Sequence, residues 1–154
     1  MSRNQIPGWL TDFITKYLVP LELVLTLGVL IGYFMQLAEA EYGTLIFSMA
    51  LTILAVVYFL AGFAPVTDKT WIKQVSIKAF YIGMAMALMG VLYTGLQLPG
   101  ADLMMKIGLL GITISMLLIV VSSIKDWSIK VTRLIIRGIT VILLAVLIIL
   151  NQQP

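Results

Sequence analysis

Glu22 and Arg137 are the residues of this chain whose type and place most invite chemistry. Each is ionisable and each lies within a long apolar stretch, where a charge is costly enough to make its bearer a functional candidate. Counted from the nearest upstream tryptophan, Glu22 stands at +13 from Trp9 and Arg137 at +10 from Trp127. At ~1.5 Å per helical residue the two differ in depth by about 4.5 Å, so helices running in the same direction bring them to one level. The expectation is an intramembrane ion pair, Glu22 with Arg137. A proton or ion relay would need further carboxylates towards the opposite face, and no apolar stretch supplies one. Lys106 follows Asp102 by four residues, the spacing of an exposed pair on one helical face.

Little else in the chain offers catalysis. With no Cys and no His there is no thiolate, no imidazole and no usual metal ligand or neutral-pH proton shuttle. No nucleophile–base pair, paired carboxylates or phosphate-binding glycine loop occurs, and Gly90, Gly95 and Gly100 are separated by apolar helix and a turn. Met84, Met86, Met89, Met104, Met105 and Met116 read as adaptable packing and not as a metal ladder. Thr52, Thr94, Thr113 and Ser115 read as hydroxyls bonded back to their own helices. The reading is a non-enzyme with no catalytic residues, cofactor or metal.

The elements that must carry these residues are five apolar stretches, at residues 17–37, 42–63, 79–98, 103–123 and 131–150. A hydrocarbon core of about 30 Å takes ~20 helical residues, and each stretch reaches or approaches that length. Composition agrees: 61% hydrophobic and 11% charged, with a mean hydropathy of +1.09, against about 25% charged residues in globular chains. The fold class is therefore all-α, a polytopic bundle of five transmembrane helices forming a single transmembrane domain over residues 1–154. Residues 5–9, Gln-Ile-Pro-Gly-Trp, break any early apolar run, so no cleaved signal peptide is expected, and residues 9–16 read as an interfacial lead-in. The last stretch is too short from Gly138 alone and must include Arg133 and Arg137, whose long side chains can snorkel.

Positive charge sits on alternate connections. Lys69, Lys73 and Lys78 precede the third stretch, Lys125, Lys130, Arg133 and Arg137 precede or open the fifth, and Arg3 and Lys16 precede the first. The opposite side carries Glu39, Glu41 and Asp102 with a single Lys106. By the positive-inside rule the N-terminus is cytoplasmic and the C-terminus extracytoplasmic, in a bacterial inner membrane. The net charge of +3 is accounted for by this topology and gives no reason to expect nucleic acid. Trp9, Trp71 and Trp127 each stand beside a basic approach and are followed by Lys16, Lys78 and Arg133. Alignment on tryptophan also sets Gly28 opposite Gly90, a sign of a duplicated two-helix unit with the fifth helix as an incomplete third copy; ordinary interfacial anchoring explains the tryptophans equally well.

Small residues mark where helices approach closely: Gly28 and Gly32 in the first stretch, Gly83 and Ala87 in the third, Gly111 and Ser115 in the fourth. They suit packing inside the bundle or a partner interface.

Two segments carry a family resemblance. Gly43-Thr-Leu-Ile-Phe-Ser48 through Leu60-Ala-Gly-Phe63-Ala-Pro65, then Val66-Thr-Asp68 and Trp71, resembles the second membrane helix and its exit in the GldL family, the membrane component of the Bacteroidota gliding-motility and type IX secretion motor. Leu98-Pro-Gly-Ala-Asp102, followed by Ile107-Gly108-Leu109, is similar to a helix–turn–helix tip of that family and of other small Bacteroidota membrane proteins. There a Lys and a His-Trp precede the Pro-Gly-Ala; Thr94 and Gln97-Leu98 stand here instead. The family's intramembrane glutamate, tied to proton-driven rotation, aligns with Leu54 and Ile112, neither of which holds a proton. The resemblance thus implies the membrane hairpin without the motor chemistry. The functional expectation is a scaffold or accessory subunit of a larger membrane assembly, with membrane lipids and other membrane subunits or further copies of itself as partners. A small oligomeric transporter or channel is the first alternative, and a lipid-binding membrane protein the second.

Overall fold

In lipid each backbone N–H and C=O must be satisfied within its own segment, which makes each apolar stretch close its hydrogen bonds as a helix. The computed structural model describes residues 8–66, 70–124 and 129–151. It contains α1 (Gly8–Leu37), α2 (Gly43–Phe63), α3 (Trp71–Gly95), α4 (Ala101–Ser123) and α5 (Ile129–Asn151). All five are long and apolar enough to cross a membrane, and among the described residues there is no strand. The protein is an all-α helical bundle.

Two helices depart from the hydropathy reading at their boundaries. Helix α1 starts at Gly8, so residues 9–16 are the first turns of the same helix that carries the first apolar stretch. Helix α3 starts at Trp71 and takes in Lys73 and Lys78, then stops at Gly95. Hydropathy marks where apolar side chains begin, whereas the hydrogen-bond ladder runs on into the interfacial zone. At 30 residues, α1 is about 45 Å long and exceeds a ~30 Å core. Pro20 sits inside α1; with no N–H it leaves the Lys16 carbonyl without its intrahelical donor, half a turn before Glu22.

The two hairpins end their first helices in the same way. Glu39 and Gln97 both take φ of 54°. Ala40 N–H donates to Met35 O at 2.9 Å and Glu39 N–H to Gln36 O at 3.1 Å. Leu98 N–H donates to Tyr93 O at 2.8 Å and Gln97 N–H to Thr94 O at 3.1 Å. Each is a Schellman motif with a non-glycine residue at the left-handed position, where glycine is usual. Gly100 (φ 84°) then opens α4, with Asp102 in its positive first turn.

Helix α3 is the hub, packing against α2, α4 and α5; α1 packs on α2 alone among the described residues. In the apolar window of α3, 61% of residues are buried, against 17% in α1. Phe80, Met84, Leu88 and Val91 of α3 are fully enclosed, with Leu51, Ile112 and Ile119 of the neighbouring helices.

The small residues are spent within the hairpins. A Cβ on Gly32 would lie 2.4 Å from Phe47 N, and one on Gly28 would meet Ala50 Cβ at 3.3 Å. Between α3 and α4, Gly83 faces Gly111 and Ile112, and a Cβ on Gly108 would lie 2.3 Å from Ala87 N. Ser115 is buried in the same helix, α4. Gly28 and Gly90, equivalent in the tryptophan alignment, both face the second helix of their own hairpin, Gly90 against Met105. Helix α5 seats Gly138 against Met116 of α4 and Phe80 of α3.

Candidate functional site

Four helices converge on one polar cluster. Glu22 of α1 places Oε2 2.7 Å from Nη2 of Arg137 on α5. The other carboxylate oxygen, Oε1, accepts a hydrogen bond from the Tyr58 hydroxyl of α2 at 2.6 Å. Arg137 Nη1 donates to the Tyr81 hydroxyl of α3 at 3.1 Å, and the two tyrosine rings lie 6.2 Å apart, centroid to centroid. The ionic side chains retain only 13% (Arg137) and 15% (Glu22) of their surface exposed. Charge-assisted bonds of this length are the strong class, and every oxygen of the carboxylate has a donor.

The tyrosines were not among the sequence candidates. Their signal was present: Tyr81 lies ten residues after Trp71, as Arg137 lies ten after Trp127. A phenol buried in an apolar helix seeks a partner for its hydroxyl, and equal depth offers one.

Helices α1 and α5 do not pack on each other along their length. They instead form the walls of a lateral groove of about 1350 Å³, floored by Leu54 and Tyr58 of α2 and Leu88 of α3. It runs from Val19 to Leu37 on α1 and from Arg133 to Leu150 on α5, about 25 Å at helical rise and close to the thickness of a hydrocarbon core. The ion pair ties the two walls at one end only. Glu22, Arg133 and Arg137 are the ionisable side chains lining the groove apart from Tyr33 and Tyr58; Thr26 and Thr140 continue the polar strip, and the rest is almost wholly aliphatic or aromatic. On α5 the residues Arg133, Arg137 and Thr140 recur at helical spacing along this wall.

This arrangement can hold two helices at a fixed separation and present a long apolar cleft with a polar end. For moving protons it offers one carboxylate, and no second Asp or Glu lines the groove. Among the described residues no group of His, Cys, Asp and Glu is placed to hold a metal ion. Leu54 in the groove floor and Ile112 between α3 and α4 are enclosed apolar residues and carry no proton.

Away from the cluster, Lys106 and Asp102 pair at 2.6 Å on an exposed surface. Thr52, Thr94 and Thr113 donate to the carbonyls of Ser48, Gly90 and Leu109 on their own helices. Trp127, Lys125, Lys69 and Arg3 lie outside the described residues. Comparison of the chain with known protein families, curated proteins and solved structures gives no match.

Proposed function

We propose that this chain is a non-enzymatic integral membrane protein that holds membrane lipid in the groove between α1 and α5. The observation that carries the reading is the groove itself: nearly as long as a hydrocarbon core, apolar over most of its wall, and closed at one end by a polar network in which each carboxylate oxygen has a donor. Lipid pockets are concave, mainly apolar and marked by a few placed polar groups, and this cleft has that form. A channel or transporter is less well supported, because a solute path needs polar groups across the whole depth. The lysine and arginine pattern supports a reading in which the N-terminus and the Glu22–Arg137 end face the cytoplasmic side of a bacterial inner membrane.

The length of the groove also favours a second reading, in which a transmembrane helix of another subunit fills it and the chain is an accessory subunit. Mass spectrometry of the intact protein from mild detergent separates the two. Lipid retained by the native protein and lost from Thr26→Trp, with helicity unchanged, is the expected result. Equal lipid retention by both proteins would refute the groove as the lipid site, and a stoichiometric second protein in place of lipid would establish the subunit reading.

A further inference from the structure

We infer that the Arg133 end of the groove is the headgroup site of an anionic phospholipid, an inference that rests on the groove holding lipid. Arg137 is neutralised by Glu22, whose two oxygens are both engaged. Arg133 also lines the groove, and no acidic side chain among the described residues pairs with it. One carboxylate against two guanidiniums leaves the lining with one positive charge in excess. That charge lies one turn, about 6 Å, closer to the start of α5 than the ion pair does.

The chemistry selects the occupant. A guanidinium presents paired donors that match a phosphate, and it sits here where an aqueous edge gives way to apolar wall. Free phosphate would leave the aliphatic part of the groove unfilled, whereas acyl chains hanging from a phosphate at Arg133 would cover it. From Arg133 to Leu144 the wall extends about 16 Å, roughly half of a ~30 Å core, the depth of one leaflet. A zwitterionic headgroup brings its own cation and gains less from the excess charge. A headgroup with net negative charge therefore fits best, and it comes from the leaflet on the side where α5 begins.

The test uses the full-length protein in mild detergent, titrated with phosphatidylglycerol and phosphatidylcholine of identical acyl chains and read by mass spectrometry of the intact complex. Near a membrane surface one Lys or Arg contributes on the order of 1 kcal/mol towards an anionic lipid, about a fivefold preference. The native protein should favour phosphatidylglycerol by about that factor. Arg133→Gln should bring the ratio close to one while total lipid retention persists, and Arg133→Lys should keep most of the preference. Equal retention of the two lipids by native protein, or a preference untouched in Arg133→Gln, would overturn the headgroup site and leave the groove reading standing. Loss of the phosphatidylglycerol signal on adding inorganic phosphate alone would overturn the lipid as the source of the phosphate. Lipid bound equally by native protein and Thr26→Trp, or a partner helix in its place, would remove the groove reading and this inference with it.

Discussion

At the level of single residues, the energetics of the cluster turn on Glu22. Removing one member of a buried ion pair costs about 3–5 kcal/mol when the other is left dry, and less where the groove mouth admits water. Glu22→Gln should lower unfolding stability by about 2–4 kcal/mol, measured in detergent by denaturant titration. Adding Arg137→Gln should recover part of that loss, because no uncompensated charge remains. A double variant that loses the sum of both single losses would show that the pair is not coupled. The tyrosines are unequal partners. Tyr58 donates to a carboxylate at 2.6 Å, while Tyr81 accepts at 3.1 Å from an arginine already paired. Tyr58→Phe should therefore cost about 1.5–3 kcal/mol, the range for a bond to a charged group, and Tyr81→Phe less. Equal melting temperatures for these two variants would contradict that ranking.

At the level of elements, the two hairpin tips and the α3–α4 contact make opposite demands on side chains. A non-glycine residue in the left-handed region costs roughly 1–2 kcal/mol, and both Glu39 and Gln97 occupy it. Gln97→Gly should therefore raise stability by up to about 1 kcal/mol, less the entropy glycine adds to the unfolded chain; an unchanged or lowered unfolding midpoint would refute the strain at this turn. Glycines in the helix contact behave differently from one another. Gly108→Ala drives a methyl group to 2.3 Å from the backbone of Ala87, whereas at Gly111 the nearest atom is Gly83 Cα at 3.6 Å, ordinary contact. The first change should cost about 1–3 kcal/mol as overpacking, and the second should be nearly neutral. Comparison of their thermal unfolding in the same detergent checks the contrast. The shared Schellman turns, and the placement of Gly28 and Gly90 facing the second helix of each hairpin, are what a duplicated two-helix unit would leave behind.

At the level of the whole molecule, α3 holds the bundle together and α1 is the outlying wall, joined along its length to α2 and at one end to α5. With odd helix number and basic connections on alternate sides, the termini should lie on opposite faces of the membrane. A reporter fused after Pro154 should behave as extracytoplasmic and one fused before the first helix as cytoplasmic. A cytoplasmic signal at both ends would mean that α5 does not span, and the groove would then lose its second wall within the bilayer.

Apolar length alone determined the number of helices, because no backbone can face lipid without internal hydrogen bonding. The Trp-anchored depth count likewise set Glu22 and Arg137 at one level, since helical rise is fixed whatever the packing. Side-chain partners across the bundle are another matter. Tyr58 and Tyr81 look like any aromatic residues in apolar helices until α2 and α3 are seen to present them to the ion pair. Helix ends at Gly8 and Trp71 escaped hydropathy because hydrogen bonding continues where apolar side chains stop. The groove depends wholly on tertiary structure. A sequence of spans states which helices exist, but not that α1 and α5 stand apart while Gly32, Gly108 and Gly138 sit where the other helix pairs draw tight.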